Sequence, residues 1–364
     1  MTPNDTRPSF LRRWWPVGLA LALVLLRVLL PARALEYGYS QGVFVGLREV
    51  WDRLVGWFPF PLYYVFWALV VGWLIAFGLR IWRGRGCKGS WWRRGRELLN
   101  AVATLVVVFL LGWGFNYGRP AVTDYAGFAP YAPTLDELRA RVRSQAAALA
   151  ELRAALTTDT VALGADYLTY DRIDAVVRPL VTGALRELGY PAPGRPAVRL
   201  LYPRGVLLRF STAGVYWPWV GEGNVDAGLH PLQLPAVAAH EMTHAYGFGD
   251  EGTCTFVAWL AGRRATDPAL RYAFGLAYWR RIAGKLRQVE PDAYWAWRAA
   301  ELDPGVRNDL QAIYDNRALY QDIAPALRNA AYDHYLKAQG IREGLLNYGT
   351  VVQLVEGYRR RGPE

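Results

Sequence analysis

One stretch of this sequence has the residue types and spacing to bind and activate a small molecule: His240-Glu241-Met242-Thr243-His244. Two histidines four apart lie on one helix face, one turn above the other, so both imidazoles can reach a single metal ion. Glu241 stands beside them, placed to take a proton from a water that the metal activates. The chain has only 4 histidines in 364 residues. At that frequency, with roughly 5% Glu, an accidental match is expected about twice in a thousand such chains. The bland alternative is a helix with two surface histidines that bind nothing.

A catalytic zinc takes three protein ligands and keeps one position open, so a third ligand is needed. Gly247 can end the helix in a left-handed turn, and Gly249 adds a second flexible point. The chain can then reverse and present Asp250 or Glu251 near the metal. Asp250 fits the spacing of metzincins, which also need a downstream Met-turn. The only methionines are Met1 and Met242. We therefore expect Zn2+ on His240, His244 and Glu251, as in gluzincins, with Glu241 as general base and Asp250 the competing third ligand. His230 follows an expected strand and is read as a loop residue rather than a ligand. Cys254 is read as a small buried hydrophobe.

The elements that must position these groups fall into two parts. Hydrophobic residues make up 53% of the chain and charged residues 20%, which excludes a disordered or collagen-like chain. The net charge of +11 comes from 42 Lys/Arg and 31 Asp/Glu. Residues 1–118 hold 14 and 5 of these, leaving 28 and 26 for residues 119–364. The basicity thus belongs to the apolar N-terminal third, and no nucleic-acid footprint is visible elsewhere.

Three apolar runs lie in that third. Trp14–Leu30 is broken only by Arg27, while Leu54–Leu79 and Leu98–Tyr117 contain no charge. About 20 apolar residues cross a bilayer, so three transmembrane helices are expected, at about 14–34, 58–80 and 98–117. Arg7, Arg12 and Arg13 precede the first, and seven Lys/Arg between Arg80 and Arg96 separate the second from the third. Cations mark the cytoplasmic side. The N-terminus is expected in the cytoplasm of a bacterial inner membrane, with residues 119–364 as a periplasmic or extracellular domain. Ala32-Arg33-Ala34 also resembles a signal-peptide cleavage site. Residues 43–58 repeat apolar positions at helical spacing, as an interfacial helix or one packed on the outer domain.

In that domain, Thr134 and Glu137 form a capping box opening a helix through Leu156, and a second helix fits 171–188. Residues 197–202, 206–210, 215–220 and 224–229 read as short strands, and the segment at 215–220 could pair with an extended peptide. After Pro231 the pattern is helical, with breaks near Gly247, Asp267-Pro268, Asp303-Pro304 and Gly340. The expected fold class is mainly α: three spans, then a zincin-like α+β domain with a small sheet before the HExxH helix.

The three spans, the segment Trp113-Gly114-Phe115-Asn116-Tyr117, the stretch HEMTHAYGFGDEGTCTFVAWL from His240, Ser211–Leu229 and Tyr332–Tyr358 together resemble the bacterial family named "domain of unknown function 3810". The resemblance covers nearly the whole chain. It implies a membrane-anchored zinc metallopeptidase acting on a peptide or protein near the bilayer. That family typically has E-x-E-A-N after the HExxH helix. Here the stretch is Glu251-Gly252-Thr253-Cys254-Thr255, so the ligand Glu is kept while Thr255 replaces the Asn. Thr255 lies one turn from Glu251 and can support the ligands by hydrogen bonding. In the C-terminal family-like segment, His334, Tyr335, Arg342 and Tyr348 are candidates for stabilising an oxyanion. The competing expectation is a catalytically inactive envelope protein whose zinc site is structural or vestigial and which acts by binding partners.

Overall fold

The computed structural model describes residues 10–84, 90–170, 172–323, 325–339 and 349–361. The chain is mainly helical, with one small sheet. Among the described residues two helices are long and apolar enough to cross a membrane: α3, Leu62–Arg83, and α4, Ser90–Gly112. Of the three expected spans, two are met in this way among the described residues. The first run forms α1, Phe10–Leu29, but the chain turns by 115° into α2, Ala32–Val55. Only if that bent pair counts as one element is there a third span. Pro31 sits at the break, where its missing N–H and the restriction it places on Leu30 stop the helix. Arg27 donates to the side chain and carbonyl of Gln339, both at 2.9 Å.

The third run also ends earlier than expected. Residues 114–118 leave α4 as a short 3-10 turn, and Trp113 is buried. Helix α2 turns Arg48 and Asp52 inward, while Glu49 and Arg53 are exposed. Arg48 and Asp52 pair with each other, Arg48 donates to the Gly221 carbonyl at 2.8 Å, and Asp52 accepts from the Arg195 N–H at 2.7 Å. Its apolar residues, among them Val43, Val50 and Leu54, are exposed on the other face.

The outer part opens with α5, Leu135–Ala154, which carries both bonds of the Thr134–Glu137 capping box. Helix α6, Ile173–Glu187, follows. Then come β1, Val198–Leu201, β2, Gly214–Trp217, and β3, Glu222–Asp226, ordered β1-β3-β2. β1 runs parallel to β3, and β2 is antiparallel to it. The strand expected at 206–210 is absent, and Leu208–Phe210 is a 3-10 turn. The cause is Asp226, whose carboxylate accepts backbone N–H bonds from Gly205, Leu207, Leu208 and Gly228. These bonds wrap the segment around β3 instead of letting it pair.

Helix α7, Leu234–Ala245, carries the HExxH motif, and α8, Glu251–Arg263, follows it. Then come α9, Pro268–Val289, α10, Pro291–Ala300, α11, Pro304–Ala318, α12, Pro325–Ala338, and α13, Val351–Arg359. Asp267 and Asp303 cap α9 and α11 at the expected breaks. The break expected at Gly340 lies outside the described residues. The core lies between α5, α6, α7, α8 and α9, where Val142, Leu149, Val181, Met242, Phe256 and Tyr272 are fully buried. Helix α7 is thus held on all sides, as a rigid ligand platform requires.

Candidate metal centre

Helix α7 and the start of α8 bring His240, His244 and Glu251 together. Their ligand-type atoms all lie within 4.8 Å of one another, which makes them a group that could hold a metal ion. His240 Nε2 is 3.1 Å from His244 Nε2 and 3.0 Å from Glu251 Oε2, and His244 Nε2 is 3.4 Å from the same oxygen. The turn between the helices makes this possible. Gly247 adopts φ +87°, where a side chain would be strained, and its missing Cβ leaves room for Phe44 and Asn116.

The far side of each imidazole is also occupied. His240 Nδ1 faces Thr255 Oγ1 at 3.1 Å, and that hydroxyl donates to the Glu251 carbonyl at 2.9 Å. Thr255 therefore accepts from the ring. His244 Nδ1 donates to the Phe248 carbonyl at 2.7 Å, with Cys254 Sγ 3.3 Å away. With both Nδ1 atoms engaged, the two Nε2 atoms face each other and a carboxylate oxygen. Three electron-rich atoms so close repel unless a proton or a cation lies among them.

The local charges reflect that crowding. Burial would raise the Glu251 carboxyl, but the two imidazoles hold it well below the usual range. Burial lowers His240. His244 stands well above its usual value, burial being outweighed by the Glu251 carboxylate. Burial pushes the Cys254 thiol up to about 12, so it is a neutral neighbour at pH 7.

Glu241 is 5% exposed, and burial raises its carboxyl to about 8, with the Tyr216 backbone N–H donating to it. Two glycines of the sheet make its space. A Cβ on Gly214 would lie 2.7 Å from Glu241 Oε1, and one on Gly223 would lie 3.0 Å from its Cβ. Strand β2 is one of the two sheet edges, and its Tyr216 ring lies 6.3 Å from that of His244, centroid to centroid.

The other candidates are placed elsewhere. Asp250 caps α8, accepting from the Thr253 N–H at 2.6 Å, and stands outside the three-residue group. His230 caps the turn before α7 through Leu232 N–H, and burial lowers its pKa. His334 lies exposed on α12, away from that group. The side chain of Tyr335, together with Arg342 and Tyr348, lies outside the described residues.

Sequence reasoning missed the groups that reach the centre from the membrane-proximal segments. Trp113 Nε1 donates to the His244 carbonyl at 2.8 Å. Arg119 donates to the Gly247 carbonyl at 3.1 Å and holds Glu36 with a two-pronged bridge at 2.7 and 2.8 Å, both side chains buried. The residues at 113–117 belong to the stretch that carried the family resemblance, which was the available signal. Nothing in the spacing pairs Glu36 with Arg119.

The fold and this centre define a mainly helical protein with two membrane-length helices and a His/His/Glu cluster among the described residues. The chain belongs to the family described as "Protein of unknown function (DUF3810)", whose profile matches residues 39–355. Neither the curated proteins nor the solved structures contain a match.

Proposed function

We propose that this chain is a membrane-anchored zinc metallopeptidase with a zincin-like outer domain. The observation that carries the reading is the triangle of His240, His244 and Glu251, with edges of 3.0, 3.1 and 3.4 Å. Ligand atoms at about 2.0–2.1 Å from a tetrahedral zinc lie roughly 3.3 Å apart, so the residues fit that ion. These three side chains would hold zinc, which when bound polarises a scissile carbonyl and makes water a stronger nucleophile near neutral pH.

The chain's own groups do the rest. Thr255 and Phe248 fix which imidazole nitrogen is bare. Glu241 takes a proton from the attacking water and returns it to the departing amine. The Tyr216 N–H orients that carboxylate. Edge strand β2 offers its outward backbone to an extended peptide. The substrate is a peptide or protein near the bilayer, and nucleic acid is not a partner. The arginine excess near α3 and α4 supports a cytoplasmic N-terminus in a bacterial inner membrane, with the centre on the periplasmic or extracellular side.

A structural or vestigial zinc site in an inactive envelope protein needs a fourth protein ligand or a lost base. Among the described residues the group numbers three, and Glu241 sits beside it. The test is zinc per chain in wild type and His240→Ala, with hydrolysis of quenched peptides by wild type and Glu241→Gln. The reading requires zinc to fall in the first variant and turnover in the second. Equal zinc in wild type and His240→Ala, or equal turnover in wild type and Glu241→Gln, refutes it.

A further inference from the structure

The edge strand that borders the candidate base also leads to the membrane-length helices. Gly214 opens β2 against Glu241, and the Tyr216 ring lies beside those of Trp113 and His244, at 5.3 and 6.3 Å between centroids. The next residue, Trp217, meets Tyr63 and Phe66 edge-on in the first two turns of α3. Trp219 packs on Phe66 of α3 and Phe109 of α4, at 5.7 and 5.6 Å, and its Nε1 donates to the Leu105 carbonyl at 3.1 Å. Val220 joins Val55 and Leu62 in a small buried cluster. The Leu62 N–H, at the start of α3, donates to Glu222 of β3 at 2.8 Å.

The depth of these contacts follows from the helix lengths. Helix α3 has 22 residues, so it is about 33 Å long and matches a hydrocarbon core of about 30 Å. Exposed aromatic residues mark both of its ends, Tyr64 and Trp67 near the start and Trp82 near the finish, as at the two faces of a bilayer. The start of α3 and the end of α4 at Gly112 lie on the same face, since the β2–β3 segment touches both. Leu105 stands seven residues before Gly112. Trp219 therefore meets α4 about 10 Å below that end. Trp113, the first residue past α4, donates instead to the His244 carbonyl. Strand β2 thus runs from Glu241 past the imidazoles, and the turn behind it enters the depth of the two helices.

We propose that the substrate of this centre is a bilayer-anchored polypeptide, cut within the first few residues outside the hydrocarbon. An extended segment lying along β2 has one end at the level of α3 and α4, where an apolar anchor belongs, and the other in the polar outer domain. This rests on the peptidase reading and on α3 and α4 crossing the bilayer, and it adds the substrate's attachment. The bond chemistry is unchanged: water adds to the carbonyl carbon, the C–N bond breaks, and the proton taken by Glu241 leaves with the amine.

The test gives the full chain, loaded with zinc in lipid nanodiscs, three probes. One is a polar tail of randomised sequence joined directly to an anchor of about 20 apolar residues. The second has an uncleavable polyether spacer between anchor and tail, and the third is the tail alone. The directly joined tail should be cut at least about tenfold faster than either of the others, since a tether helps only where its geometry lets the segment reach the site. Mass spectrometry should place the cut within about five residues of the anchor, at about 3.3 Å per extended residue. In a Glu241→Gln chain, which keeps the ligands, a photo-reactive residue just outside the anchor should cross-link to residues 214–219. A directly joined tail cut no faster than the spaced or the free one overturns this inference and leaves the peptidase reading standing. Cuts spread evenly along the tail, or cross-links that avoid 214–219, do the same. A chain that holds no zinc, or one that holds zinc and cuts none of the probes, overturns the reading beneath, and this inference with it.

Discussion

Replacing Glu241 with Gln should change how many protons leave the protein when zinc binds. Burial raises this carboxyl from its usual 4.5 to about 8. A group with that value is about nine-tenths protonated at pH 7. A +2 charge held nearby by His240, His244 and Glu251 would favour the ionised form and bring the carboxyl below 7, so that it is ionised at pH 7 once zinc is in place. Wild type should therefore release about 0.9 more proton per zinc than Glu241→Gln at pH 7. The sign fixes the pH window. The raised pKa means that the extra proton is held before zinc arrives only below about 8, so the difference fades to about 0.1 at pH 9. Calorimetry of zinc binding in buffers of different ionisation enthalpy counts these protons directly. Equal release by the two proteins at pH 7, with zinc bound by both, would show that Glu241 does not face the ion. The linkage between base and metal would then fail.

Three further outcomes follow from the same geometry. Breaking the buried Arg119–Glu36 bridge with Arg119→Ala leaves a buried carboxylate beside the Gly247 turn; it should cost about 3–5 kcal/mol, seen as a lower melting temperature in detergent, together with weaker zinc binding. Gly214→Ala places a methyl group 2.7 Å from Glu241 Oε1 and should lower peptide turnover at least tenfold while leaving zinc per chain unchanged, because the ligands lie on α7 and α8. Asp309→Ala strips partners from Arg153, Tyr272 and the Leu163 N–H in the core, far from the metal group; chemical denaturation should show a loss of about 3–5 kcal/mol, and zinc affinity measured below the transition should not move.

Much of the helical scaffold was legible because its signals are local. The Thr134–Glu137 box opens α5, and Asp267 and Asp303 cap α9 and α11, each through contacts within four residues. The apolar runs gave two membrane-length helices for the same reason, since hydropathy is a property of the run itself. The first run forms a helix too, but Pro31 and the 115° bend decide where it ends and where the chain goes next. The segment at 206–210 has strand-like composition, and only the distant Asp226 carboxylate makes it a turn.

The sequence by itself determined the HExxH helix, and with it that two imidazoles share a face one turn apart. It also narrowed the acid partner to Asp250 or Glu251. Tertiary structure chose between those two, because Asp250 caps α8 while Glu251 turns towards the rings. It alone decided that Thr255 and Phe248 hold the far nitrogens, that Gly214 and Gly223 leave room for Glu241, and that Trp113, Arg119 and Glu36 brace the turn. The reason is sequence distance. A helical period writes itself into neighbouring residues, whereas Glu36 and Arg119 stand 83 residues apart and meet only when the whole chain has packed.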